Sequence, residues 1–359
     1  MSRATHPVLL DATRAAGAVP APADSPDAGV AWHYGDPFAE QRAAQRAAAV
    51  IDRGNRGVLA LTGGDRLSWL HKLTSQYLDG LPDGSAVQDL NLDGQGRVLD
   101  HFWISDVDSV AYIDTEGARV ADLAAYLTKM VFWADVQVAE RPDLTVLTLV
   151  GPDAARIAGL DLRPGRAVAH RGGIARADDG ETTLILPADD AADAWAHLVE
   201  AGAQPAGSWA YEALRVARAE PRLGVDTDEK TIPHEVGWIG PAVHLEKGCY
   251  RGQETIARVH NLGRPPRRLV LLHLDGSADT RPATGDPVTA GGRTVGRVGT
   301  VVEHCDYGPV ALALVKRAVP DDAQLDAGGA AAAIDADVTP AGDGAVAAGR
   351  AAVDRLRGR

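Results

Sequence analysis

A cysteine set among glycines and cations is this chain's clearest candidate for chemistry. Lys247-Gly248-Cys249-Tyr250-Arg251-Gly252-Gln253-Glu254 holds one of only two cysteines in 359 residues. Gly248 and Gly252 permit backbone shapes that other residues adopt only with strain. Gln253 to His260 reads as a short helix stopped by Gly263 and Pro265. Cys249 would then lie just ahead of a helix N-terminus, where free amides and the positive end of the dipole favour a thiolate. Lys247 and Arg251 would add cationic charge, opposed slightly by Glu254. The competing reading is a small buried hydrophobe, with Tyr250 merely anchoring a loop. Spacing alone leaves both open.

The second cysteine, Cys305, falls in the strand-like run Val301-Val302-Glu303-His304-Cys305, where burial is the expectation. Two separated cysteines make neither a disulfide framework nor a four-ligand metal site, so no metal ligands are assigned. A net charge of -13 argues against broad electrostatic capture of nucleic acid. Arg264, Arg267 and Arg268 form either a local basic surface or a solvated strand entry. No apolar run approaches the length of a membrane span, and the start lacks a basic, then apolar, secretory pattern. The expectation is a cytoplasmic protein with no membrane partner.

The elements that must position the cysteine alternate between strands and helices. Gly57 to Thr62 reads as a strand and Asp65 to Leu73 as a helix. Gln88 to Leu92 and Arg97 to Ile104 flank Asp93-Gly94-Gln95-Gly96, a turn-rich spacer that joins antiparallel strands. Val110 to Asp114 continues the sheet, and Arg119 to Lys129 covers it as a helix. Strand Leu144 to Val150, helix Pro152 to Ala158, strand Thr182 to Leu186 and helix Ala191 to Ala201 make a second set. A helix from Trp209 to Ala219 leads toward the cysteine segment. Beyond it, Arg268 to Leu274, Arg293 to Val302 and Val310 to Val315 are short strands between Gly and Pro turns, a small β-barrel. The predicted class is α+β with largely antiparallel sheets.

The octapeptide at Lys247 resembles the hallmark of the YgfZ family, folate-binding relatives of the glycine-cleavage T-protein (GcvT). That hallmark reads Lys-Gly-Cys-Tyr-x-Gly-Gln-Glu, and Lys247, Gly248, Cys249, Tyr250, Gly252, Gln253 and Glu254 fill every fixed position. His33 to Asp36, Gly64 to Leu70, Gly96 to Ile104, Tyr211 to Arg215 and Thr231 to Glu235 look like family blocks in family order. The resemblance runs from about Trp32 to Ala318. It implies a GcvT-like aminomethyltransferase fold: two α+β modules around a central channel plus a C-terminal β-barrel. The expected boundaries are a disordered segment at 1–30, modules at 31–140 and 141–264, a barrel at 265–320 and an Ala/Gly-rich tail at 321–359, its end from Ala345 marginally helical.

The resemblance also implies that tetrahydrofolate or a derivative is bound, and that iron-sulfur enzymes, including tRNA-modifying ones, are kept active. Iron-sulfur client or assembly proteins are then the expected partners, and Cys249 the key residue. Asp100 falls where T-proteins carry a carboxylate acting near the folate N5 and N10 atoms; its neighbour here is His101. An Asp beside a pteridine can hydrogen-bond a ring nitrogen or assist proton transfer; the plain reading is a strand-end Asp facing solvent. T-proteins place a Glu after Leu-Arg-x to grip the pterin, whereas Ala217 follows Leu214-Arg215-Val216. Glu220 would face the same way only if the helix continued, and Pro221 suggests that it ends. Glu235 is a further candidate carboxylate, otherwise a solvated loop residue. The alternative function is a folate-dependent aminomethyl- or methyltransferase like the T-protein; a third is a protein-interaction module without a small ligand.

Overall fold

Ser85–Leu92 and Val98–Val107 form the arms of the expected hairpin. Asp93 closes its turn, as a short acidic side chain does well: the Asp93 amide donates to the Arg97 carbonyl at 2.9 Å. The Asp93 Oδ1 accepts from the amides of Gln95 and Arg97, each at 2.8 Å. Gly96 completes the turn with φ of 74°, a conformation that favours glycine.

This computed structural model describes residues 8–262, 264–277 and 280–338. The chain divides into two units, the first drawn from Met1–His71, Leu78–Gln88 and Phe102–Tyr211 and the second from Lys72–Tyr77, Asp89–His101 and Glu212–Arg359. The first carries most of an eleven-stranded, largely antiparallel sheet, in which Gln204–Ala206 pairs in parallel with Ala49–Asp52. Its helices follow the apolar spacing of the sequence. Ala191–Glu200 buries Ala191, Ala194, Trp195 and Leu198, one stripe at helical period. That stripe packs on Val50, Leu147, Leu149, Leu184 and Leu186 of the sheet. Each large side chain so buried contributes about 1.5–3 kcal/mol.

The second unit contains a closed six-stranded barrel, and closure leaves no open edge for a foreign strand. Arg267–Leu274 pairs with both Gly308–Lys316 and Ala330–Ile334. Successive residues of this strand face opposite sides. Val270, Leu272 and Leu274 join Val288, Val298, Ala313 and Val315 in one core. Leu269 and Leu271, with Leu312 and Leu314, pack against Trp238, Tyr250 and Ile256 in another. The barrel thereby gives the cysteine segment its floor.

Several expectations change. The region 1–30 holds a helix at Val8–Thr13, with Leu9 buried against the core of the first unit. The barrel extends past residue 320, because Leu325–Ala327 and Ala330–Ile334 are strands of it. The tail's expected helix from Ala345 lies outside the described residues. Cys305 follows the strand Arg293–His304 in a half-buried turn, so it is not a strand residue. Arg267 and Arg268 are not a free basic surface: Arg267 pairs with Asp228 and Glu235, and Arg268 with Asp321. No helix among the described residues is long and apolar enough to cross a membrane.

Candidate functional site

The cysteine loop is fastened through Lys247, Tyr250, Gly252 and Gln253, and the cysteine is not one of its anchors. Lys247 is buried, and its Nζ donates to the carbonyls of Thr74 and Gln76, both at 2.7 Å. The turn that receives it is itself organised by Asp89, fully buried, which accepts from the amides of Ser75 and Gln76 at 3.0 and 2.8 Å. Burial pulls the Lys247 ammonium down to about 8, against the opposing charge of Asp89. The same burial pushes Asp89 up to about 6, with hydrogen bonds and Lys247 pulling the other way. Lys247 Nζ also stands 5.1 Å from the centre of the Tyr250 ring.

Tyr250 is buried in the core beneath the barrel wall. Gln253 Nε2 donates to the Lys247 carbonyl at 3.0 Å, tying the two ends of the motif together. Gly252, with φ of 85°, lies against the hairpin turn, where an added Cβ would meet the Asp93 carbonyl oxygen at 2.6 Å and the Gly96 Cα at 2.8 Å. Gly248 has no such neighbour: a Cβ there meets nothing within 4 Å. Cys249, like Gly248, Arg251 and Glu254, is exposed. The buried-hydrophobe reading of this thiol therefore fails.

The expected helix forms from Gln253, and the part of the thiol's setting that needs correction is its cationic neighbour. The helix is Gln253–Leu262, so Tyr250, Arg251 and Gly252 intervene before it, and the Gln253 amide donates to the Tyr250 carbonyl at 3.2 Å. Lys247 spends its donors on the two carbonyls, away from solvent, so it is a structural lysine under the loop.

Asp100 lies on the hairpin arm whose turn receives Gly252, and it is buried at 2% exposure, not solvent-facing. Its Oδ2 accepts from Asn91 Nδ2 at 2.8 Å on the facing arm. Asn91 is equally buried, and its Oδ1 has no partner. An acceptor left over beside a carboxylate suits a group that presents N–H donors. His101 stacks on Trp238 with ring centroids 4.5 Å apart and an interplanar angle of 7°. Asn91 and Trp238 were not among the sequence candidates. The signal for Asn91 was the polar pair Asp89 and Asn91, two apart on a strand and so on one face.

Glu220 and Glu235 are differently engaged. The helix Ser208–Ala217 ends before Glu220, whose carboxylate pairs with Arg218 at 2.7 Å and is about half exposed. Arg215 stabilises this exit: its Nη1 donates to the Glu220 carbonyl at 2.7 Å and to Asp226 at 2.8 Å. Glu235 is buried, not solvated. Arg267 donates to both its oxygens at 2.8 Å, and the Ile232 amide to one of them at 3.1 Å.

Comparison with known proteins bears on this architecture. Residues 267–342 match the family model of the CAF17 C-terminal β-barrel domain. The glycine cleavage system aminomethyltransferase T of Bartonella henselae has the same fold, with a TM-score of 0.80 at 20% identity, covering 91% of this chain and 95% of that one. A chloroplastic Arabidopsis thaliana protein bearing a transferase name is 29% identical over 69% of this chain, which spans 60% of its length. The aminomethyltransferase of Synechococcus sp. (strain CC9311) is 29% identical over 73% of this chain and 77% of its own. That of Rubrobacter xylanophilus is 31% identical over 72% of this chain and 73% of its own length. With that identity over that much of a relative, and with the shared fold, the chain belongs to the aminomethyltransferase family.

Proposed function

We propose that this protein binds tetrahydrofolate or a derivative and supports the assembly or repair of iron-sulfur enzymes, tRNA-modifying ones among them, with Cys249 as the residue presented to the client or assembly protein. The observation that carries the proposal is the contrast within one octapeptide: Lys247 and Tyr250 are buried, yet Cys249 between them is exposed. Fastening a loop so thoroughly fixes the position of a thiol that remains reachable. Reachability is the first requirement for a cysteine that reacts with or contacts a partner.

For folate, the fit is partial. Tetrahydrofolate, when bound, would supply a carrier for one-carbon units on its N5 and N10 atoms. Asp100 and the unpaired Asn91 Oδ1 are neighbouring acceptors suited to its N–H groups. Glu220 and Glu235 do not fit as pterin ligands, since Arg218 and Arg267 hold them. Replacing Cys249 by Ala in cells and measuring iron-sulfur enzyme activity under oxidative stress tests the role. A clear loss is expected; unchanged activity would remove its basis.

The family membership supports a second reading, a folate-dependent aminomethyl- or methyltransferase. Buried Asp100 favours it, because one-carbon transfer needs a group that steers protons near the folate nitrogens. Cys249 and Ala217 weigh against it, since the T-protein reaction does not call for the first and T-proteins place a Glu at the second. Turnover in a tetrahydrofolate-dependent assay with a lipoyl-bound aminomethyl donor would favour this reading over the first.

A further inference from the structure

The turn Pro233–Glu235 carries a histidine that nothing in the cysteine loop or the hairpin uses. His234 is 1% exposed, and neither of its ring nitrogens has a hydrogen-bond partner. The helix Gln253–Leu262 packs against this turn and presents His260, whose Nδ1 is also buried and unpaired, with ring centroids 6.2 Å apart. Arg317, just after the strand Gly308–Lys316, adds a third: its Nη1 is buried without a partner. The Arg317 amide is fixed on the Pro266 carbonyl at 2.9 Å. Folded proteins rarely leave one such nitrogen unsatisfied, and here three side chains near one another do.

We propose that His234, His260 and Arg317 form a binding site for a small oxyanion, of the sulfate, phosphate or carboxylate class. The charge of the surroundings selects an anion over a metal ion. Arg317 brings a guanidinium, which has N–H donors and no acceptor. The electrostatic neighbours of His234 are His260 and Arg317, both of cationic type. From the strand Arg267–Leu274, the other element packed on this turn, Arg267 is committed to Asp228 and Glu235. The Glu235 carboxylate is held by Arg267 and the Ile232 amide, so it serves Arg267 and not the imidazoles. An oxyanion accepts from guanidinium and imidazole N–H groups alike, and charge-assisted bonds of this kind are the strong ones.

Proton uptake should accompany binding. Burial, then the charges of His260 and Arg317, pulls His234 down to about 3, so it is neutral in the empty site. An anion reverses that balance, and affinity rises as the pH falls.

Titration calorimetry of the full-length protein with sulfate, which does not itself titrate near neutrality, and separately with glutarate, tests the proposal. One equivalent of either anion should bind, more tightly at about pH 6 than at about pH 8. R317Q and H234Q should each weaken binding by at least about tenfold. If H234Q fails to fold, R317Q, on a partly exposed turn, carries the test. Absence of binding by both anions at tens of millimolar, or affinity unchanged in R317Q, overturns the proposal. So does stoichiometric zinc binding through the two imidazoles that sulfate does not oppose.

Discussion

The two glycines of the cysteine loop make a paired test, because identical substitutions should have different consequences four residues apart. In Gly252→Ala the new residue would have to keep φ of 85°, a left-handed conformation costing an L-residue about 1–2 kcal/mol. Its Cβ would also meet the Asp93 oxygen at 2.6 Å and the Gly96 Cα at 2.8 Å, both backbone atoms of a tight turn. Backbone shifts of that kind cost about 1–3 kcal/mol, giving a total of about 2–5 kcal/mol. Gly248→Ala meets nothing within 4 Å and needs no left-handed backbone. Its effect should stay within about 0.5 kcal/mol. Because the chain divides into two units, amide exchange at Asp93 to Arg97 should accompany urea unfolding and reads the local effect directly. Faster exchange at these amides is expected in Gly252→Ala only. Equal stability and exchange in the two variants would refute the docking of the loop on the hairpin.

Other perturbations follow from the same packing. Arg267→Ala strands the buried Glu235 carboxylate and should cost about 3–5 kcal/mol in chemical unfolding, with Arg267→Lys restoring only part because it cannot bond both oxygens with a planar fork. His234 titrates near 3 in the fold and near 6.5 when unfolded, so between these values the unfolded chain binds the extra proton. Its contribution to stability is therefore full above about pH 6.5 and lost as the pH falls toward 3, at most about 5 kcal/mol. In buffers free of oxyanions, His234→Gln should flatten this part of the stability profile relative to wild type; an unchanged slope would contradict the assignment. Cys249→Ser should leave the unfolding midpoint within about 0.5 kcal/mol of wild type, and in the native wild type an alkylating reagent should label Cys249 before the half-buried Cys305.

Local pattern carried much of this structure, and long-range pairing carried what pattern missed. The hairpin was legible because Asp93 to Gly96 is turn chemistry between alternating strands. The last barrel strands were not: Ala330–Ile334 is mostly alanine, with little strand preference, and becomes a strand because it closes the barrel by pairing with Arg267–Leu274 and Leu325–Ala327. Lys247 read as a cation beside a thiol because sequence shows adjacency, whereas its acceptors, Thr74 and Gln76, come from far earlier in the chain. Glu235 read as solvated for the same reason; its partner Arg267 lies 32 residues on. Cys249 was legible as special, but its exposure depended on how Tyr250 and Gly252 were fastened. Asp100 was placed through a resemblance, and its burial and its pairing with Asn91 distinguish it from a strand-end carboxylate.

Folate binding through the hairpin is the claim on which the functional account turns most directly. Calorimetry with tetrahydrofolate under anaerobic conditions, on wild type, Asp100→Asn and Cys249→Ala, measures it. The account predicts binding by wild type and Cys249→Ala alike, and at least about tenfold weaker binding by Asp100→Asn. No heat with wild type, or an affinity indifferent to Asp100, would contradict it.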